Sequence, residues 1–527
     1  MPLTRICTLS GKEFEITDDD LHFYEKISPI LGGKKYLIPP PTLCPEERMR
    51  RRLSWRNMHS LYKTKCAITQ KDIISLYSPN RPYRSVDQAI WWGDTIDSSD
   101  YKRDYDPSGK FYTELDALMR SMPLFCLSNE YRTNENAEYV QGTNNVKNSY
   151  LVFNAMATNN CEYSDSIYHA EDCFDDYFCR ESQDCYDCIS MLRCQSCISL
   201  EESEDCARVD FSYNCKGCQD CLLSYGLTNQ QYMIANVQYT KTTYEEAKKK
   251  YIKNNDSYDY IALSRIFANM KSMNPIEKTI IYNSENVSGN HISNCFNVQG
   301  SYDTSDSKNC KYIATFSKAE DCYDCFSWWY MAENCYECVA VGNSVSGLMG
   351  CYAVWWGSAR VYYSYSCLDC QDCFGCVGLR DKKYCILNKQ YTKEEYEVLA
   401  RKIIEDMIHD GEWGEYLAPS ISPFGYNETM ANLYFPLSRE EALAKWYQWN
   451  DYEAPRPEAE KYIPASKLPD DITKIPDDIL NWAIECSVSG KYYKITRPEL
   501  EFYRKHMLSI PTKHPDIRRK ERFDRRV

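Results

Sequence analysis

At 527 residues, 43% hydrophobic and 26% charged, the chain is too long for one ordinary domain and too apolar for wholesale disorder. No window approaches the ~18 apolar residues of a membrane span and the amino terminus has no run of signal-peptide length, so no membrane partner is expected and a cytoplasmic location is. Net charge is −14 but unevenly placed: 161–221 holds 15 Asp/Glu against 4 Lys/Arg, whereas 45–66 holds seven Lys/Arg against two Glu and 512–527 seven against three.

Without a signal, the 28 cysteines read as buried thiols or metal ligands rather than disulfides, and the 45 tyrosines favour a sheet-rich interior. Residues 1–135 are expected to form an N-terminal zinc-ribbon-like region. Cys7-Thr-Leu-Ser10-Gly11-Lys12, then Phe14 and Ile16, has the form of a ribbon knuckle, and it recurs as Cys486-Ser-Val-Ser489-Gly490-Lys491, then Tyr493 and Ile495. With a shorter loop in the second copy, Cys44-Pro45 faces His514-Pro515, an exchange that a zinc-ligand position permits. Tetrahedral zinc takes four ligands, however, and the second member of each pair is Ser10, Glu47, Ser489 or Ile517. That leaves Cys7 with Cys44 and Cys486 with His514; no bound cofactor is expected, with zinc the candidate metal. Residues 45–63 begin with proline and acids, which predicts a helix, apolar at Met49, Leu53 and Trp55 and cationic at Arg48, Arg50, Arg51, Arg52 and Arg56. Together with Arg518, Arg519, Lys520 and Arg522 this is a candidate phosphate-contact surface; the alternative is a charged face that pairs with the acidic body. Cys66 opens a third knuckle that keeps a single cysteine, and a helix over 111–122 closes the region.

Two cysteine arrays follow. Ala170-Glu171-Asp172-Cys173 returns as Ala319-Glu320-Asp321-Cys322, and Cys215-Lys-Gly-Cys218-Gln-Asp-Cys221 as Cys367-Leu-Asp-Cys370-Gln-Asp-Cys373. Polar–Cys steps at 172, 184, 193, 205 and 214 are spaced 12, 9, 12 and 9, a period of about 21 per two steps. This predicts a β-solenoid with Asp or Asn at the corners and cysteines stacked inward. The expected layout is a first block over 138–254 with a closing helix from 240, a linker over 255–282 carrying a more apolar helix, and a second block over 283–411 with a closing helix over 393–409. An extended wrapping segment over 412–474 and a C-terminal zinc-ribbon-like unit over 475–527, entered by a short helix over 476–486, complete it. The fold class is mainly β: two cysteine-laddered, parallel β-helix-like solenoid blocks with short helices, flanked by zinc-ribbon-like terminal units.

Cys367, Cys370, Cys373 and Cys376 have the sharpest metal-like spacing, near a ferredoxin run, but the last gap is two residues and no proline follows. Buried ladder thiols are expected there, with a zinc or iron–sulfur site the alternative. Trp328, Trp329, Trp355 and Trp356 are candidates for an aromatic strip that a glycan would stack on. Phosphate-loop, dinucleotide, zincin and nucleophile-elbow motifs are absent, although solenoid enzymes acting on polysaccharides use dispersed acids that no motif would reveal. The order of knuckle, Cys-Pro-x-x-Arg, Ile73-Ile-Ser-Leu-Tyr-Ser-Pro79, Trp-Trp, two Asp-Cys arrays and Ser422-Pro-Phe-Gly-Tyr-Asn-Glu428 resembles a family of uncharacterised cysteine-rich repeat proteins of candidate-phyla-radiation bacteria. The resemblance implies fuller zinc-ribbon pairs in relatives where this chain has Ser10, Glu47, Thr69 and Ser489, and implies no activity. The expected function is a non-enzymatic binding scaffold that engages nucleic acid, such as ribosomal RNA, or a protein through its basic ends. The alternatives are a polysaccharide-binding or polysaccharide-degrading solenoid and a zinc or iron–sulfur redox protein.

Overall fold

The computed structural model describes residues 3–179, 205–254, 257–258, 260–274 and 279–526. The chain divides into two compact units, Met1–Cys126 with Glu277–Tyr452 and Leu127–Ile276 with Glu453–Val527. The first unit therefore joins the N-terminal region to the second array, and the second joins the first array to the C-terminal region. The segment expected to wrap over 412–474 is shared between them, with the division after Tyr452.

Each array is a parallel β-solenoid, and the fold is mainly β. The coil is 12 residues long: Val140 pairs with Val152, Ala207 with Gln219 and Gln219 with Gln231, and in the first unit Gln371 pairs with Lys383. Some coils take one residue more, as between Tyr323 and Tyr336. A coil is four sides of three residues. In each triplet the first residue is left-handed, the second points inward and the third pairs with a neighbouring coil: Asn160 (φ 55°), Cys161, Glu162, then Tyr163 (φ 57°), Ser164, Asp165. The period of about 21 expected from sequence is corrected by this geometry, because steps of 12 stack one coil on the next whereas steps of 9 merely count three sides around a coil. The corner expectation holds, with Asp172, Asp205 and Asn214 at φ 56°, 50° and 51°.

Every cysteine among the described residues is a buried free thiol. Cys373 stacks between Val361 and Cys385, and Cys310 beside Val298, so thiol and valine share one column. A small polarizable hydrophobe is what such a column needs.

Three hairpins are built alike: Leu3–Ile6 with Glu13–Ile16, Tyr62–Lys65 with Asp72–Ser75, and Trp482–Glu485 with Tyr492–Tyr493. Each turn closes by a cysteine N–H donating to a lysine carbonyl, Cys7 to Lys12 at 2.8 Å, Cys66 to Lys71 at 2.8 Å and Cys486 to Lys491 at 2.9 Å. The next residue donates to an incoming segment (Thr8 to Thr42, Ala67 to Ser85, Ser487 to Thr512), and that segment enters a helix after Cys44, Asp87 and His514. The helix expected over 45–63 stops at Leu53, because the chain must turn into the Tyr62–Lys65 strand. The helix expected over 476–486 is instead a 3₁₀ turn, Asp477–Asn481, and then a strand, which Lys461–Pro464 captures by parallel pairing.

Candidate functional site

The two ends of the chain do the same thing. In the first unit the helices Asp18–Ile27 and Pro45–Leu53 lie on the solenoid of that unit; in the second, Arg497–Lys505 and Pro515–Arg526 lie on the other. Phe23 stacks on Tyr323 with ring centres 3.7 Å apart, and Phe502 on Phe174 at 4.4 Å. Arg48 lies over the Tyr312 ring at 5.3 Å and Arg518 over Tyr163 at 4.7 Å. These pairs are in register when Ala170–Cys173 is set on Ala319–Cys322, Cys7 on Cys486 and, after the shorter loop, Cys44 on His514.

Charge pairing follows the same register. Arg48 and Arg52 both meet Asp324 at 3.0 Å, and Arg518 and Arg522 both meet Asp175, the latter at 2.8 Å. Arg52 also reaches Glu337 at 2.9 Å, while Arg51 bridges Glu337 at 2.9 Å and Glu415 at 2.5 Å. Arg518 reaches Glu499 at 3.2 Å, and the Tyr163 and Tyr503 hydroxyls donate to the same carboxylate at 3.0 and 2.9 Å. Arg48 is 2% exposed and Asp324 fully buried, so the ion pairs form out of water. Charges taken out of water are tolerable only when paired in this way, and removing one partner is costly.

This placement corrects the reading of the arginines as a phosphate-contact surface. Arg48, Arg50, Arg51, Arg52, Arg56, Arg518 and Arg522 are buried, and Arg48, Arg51, Arg52, Arg518 and Arg522 are turned onto solenoid carboxylates. Arg50 pairs with Glu47, and Arg56 lies 3.9 Å from the Met58 sulfur. Arg519 is held by Asp516 at 2.9 Å and Lys520 by Asp524 at 2.6 Å.

The cysteines with ferredoxin-like spacing are distributed around one coil. Cys367, Cys370, Cys373 and Cys376 take the inward place on four successive sides, because three residues make a side. Burial pushes the Cys367 thiol well above its ordinary value, as it does Cys310 and Cys325, and raises Cys215 and Cys221 to about 12. Among the described residues, no group of three or more His, Cys, Asp or Glu side chains is arranged to hold a metal ion. At the knuckles the sulfurs accept backbone amides: Cys486 from Val488, Ser489 and His514 at 3.5, 3.4 and 3.1 Å, and Cys66 from Thr69 and Asp87 at 3.5 and 3.4 Å. Burial opposes it, but the Ser10 hydroxyl and the amides of Cys44, Ser10 and Leu9 bring Cys7 down to about 7; Cys44 sits 3.7 Å from the Ser10 oxygen. Burial lowers the His514 pKa. The third partner position, Asp87, was not legible from the sequence, since it is located by hydrogen bonds of the fold, Ala67 to Ser85 and Asp87 to the Cys66 sulfur.

The tryptophan strip is corrected at Trp355 and Trp356, while the side chains of Trp328 and Trp329 lie outside the described residues. Trp355 is buried and donates to the Ala340 carbonyl at 2.5 Å, and Trp356 packs on Trp92 at 5.3 Å. Trp328 and Trp329 lie on the Tyr323–Glu333 strand, in register with Phe316 and Ser317.

The position of Lys311 is one that breaks the likeness between the two docked ends. In the first unit Lys311 sends its ammonium to Asp20 at 2.7 Å and Thr17 at 3.0 Å. In the second unit the same register places Glu162 beside Thr496 and Glu499, and Thr496 donates to it at 2.6 Å. Burial, with Glu499 nearby, pushes Glu162 up to about 8. Glu162 lines a groove of about 810 Å³ between the solenoid corners and the Arg497–Lys505 helix, together with Tyr139, Tyr150, Asn148, Asp172 and Glu501.

No protein-family model and no curated protein matches the chain. Among solved structures it is similar to a proposed acetyltransferase from Desulfovibrio desulfuricans G20, with 8% identity, 43% of this chain and 65% of that chain covered, and a TM-score of 0.11. At that score the likeness carries no argument, and the chain spans about 65% of that protein's length.

Proposed function

We propose that the protein is a non-enzymatic binding scaffold whose partner is a protein rather than a nucleic acid. The observation that carries this is the internal use of the basic ends: Arg48, Arg51, Arg52, Arg518 and Arg522 are committed to buried carboxylates of their own solenoids. A phosphate backbone would have to displace those pairs, whereas the repeated coils offer long, regular faces of the kind that repeat proteins use to hold partners. The inward positions are filled by thiols, aliphatic residues and serine, a packed interior that leaves binding to the outside. The test is fluorescence anisotropy of the full chain with a labelled single-stranded RNA and a DNA duplex across a salt series. The expected result is no binding at moderate salt. Tight binding that weakens steeply with salt, as counterion release demands, would overturn the reading.

A further inference from the structure

The first unit carries its own lysine in a small receptor for an ammonium group. Lys311 Nζ lies between Asp20 and Thr17, at 2.7 and 3.0 Å, with the Tyr323 ring 5.7 Å away. Beside it Lys26 pairs with Asp321 at 2.5 Å, and the second unit keeps both positions as Lys505 and Asp172. In the second unit the receptor is kept as Thr496, Glu499 and Phe174, but the residue at the lysine position is Glu162. Tyr150 stands where the first unit has Gln299. The groove has carboxyl groups from Glu138, Glu162, Asp172 and Glu501 and ring surface from Tyr139 and Tyr150, which meet edge to face at 5.3 Å.

We propose that this groove binds a linear aliphatic polyamine, one ammonium of which pairs with Glu162, the residue that stands where Lys311 stands in the other unit. Its volume of about 810 Å³ is within the range of small-molecule sites. The corners from Asn136 to Asp172 climb three coil steps, roughly 14 Å at ~4.8 Å per step, long enough to take an extended triamine. Methylenes would pack on the tyrosine rings, and ammonium groups gain from ring faces and carboxylates together. The excess of acids over the single Lys505 excludes a polyanion.

Glu162 is 5% exposed, and among the described residues no cation lies within ion-pair distance of it. It is faced by Glu499 and Arg518 of the C-terminal region, by Asp175 of the next coil, and by Tyr150 and Tyr163. With a pKa of about 8 it carries a proton at neutral pH, so seating an ammonium there must release that proton, and binding must tighten as pH rises toward 8. This rests on the scaffold reading in that the amine is held and not converted.

The experiment is calorimetric titration of the full chain with spermidine at pH 6, 7 and 8, in buffers of different ionisation heat, with 1,8-octanediol as the uncharged control. The expected result is saturable binding of spermidine only, tighter at pH 8 than at pH 6, with proton release read from the buffer dependence. Glu162→Lys, which installs the residue of the first unit, should weaken binding about tenfold or more without lowering the melting temperature, since the new ammonium meets Glu499. Glu162→Gln should lose the proton release and weaken binding, which keeps the test valid if the lysine variant misfolds. Absence of saturable binding, or equal binding by both variants, would overturn the site and leave the scaffold reading standing. Chemical conversion of spermidine, read by mass spectrometry, would overturn the scaffold reading and leave the site.

Discussion

The two units solve one docking problem twice, with Arg48, Tyr312 and Asp324 in one matched by Arg518, Tyr163 and Asp175 in the other. They differ in charge at several positions, among them that of Lys311. Lys311 pairs with Asp20 in the first unit, whereas Glu162 adds a carboxyl beside Glu499 in the second and lines a groove. The comparison teaches that in this fold the ion pairs hold the solenoid to its end unit, while a residue outside the shared arginine–aspartate core is free to change the charge of the seam.

The largest effect expected is on the shared core. Asp324→Ala strands two buried arginines and should destabilise the first unit by about 3–5 kcal/mol, with Asp175→Ala doing the same in the second. Native-state hydrogen exchange, read separately on amides of 279–452 and of 453–526, measures each. Protection lost equally from both units by either change, or from neither, would break the comparison. Next is Lys311→Glu, which imposes on the first unit the arrangement of the second. It should cost about 3 kcal/mol at neutral pH and be milder at pH 5, where the new carboxyl can keep its proton; a loss independent of pH would show that the lysine acts by packing alone.

A smaller effect is expected inside the ladders. Cys338→Val should cost less than about 1.5 kcal/mol, because valine already alternates with cysteine in such columns. Thermal unfolding checks this, and a loss of several kcal/mol would mean that the thiol is needed as a thiol.

Much of this was legible in the sequence, and what was missed has a physical cause. The doubled arrays, the inward cysteines and the Asp and Asn corners followed from spacing, since a stacked coil writes its period into the chain. The coil length did not, because Asp205 and Asn214 lie on corners of different columns, and spacing alone cannot tell a stack from a turn. Cys367 to Cys376 imitated a metal motif for the same reason: three residues separate both cluster ligands and the sides of this coil. The arginines were read as a surface because a helix reveals its charged face and not what covers it. Lys311 against Glu162 was visible in principle, once the register of Ala170 and Ala319 is carried upstream through Tyr163 and Tyr312.

The central claim is that Glu162 is a carboxylic acid held in a lysine's place, and the pH dependence of the second unit tests it most directly. In the fold Glu162 keeps its proton to about pH 8, whereas an unperturbed carboxyl loses it near 4.5. Stability that comes from burying the protonated form is thus complete below that lower value and is lost as pH rises toward 8, by up to ~1.4 kcal/mol per pH unit. Hydrogen exchange of the second unit between pH 5 and 8, corrected for intrinsic rates, should show this decline in the wild type and a shallower one in Glu162→Lys, where buried Glu499 remains. A wild-type profile already flat, or a decline of the same size after the substitution, would contradict this.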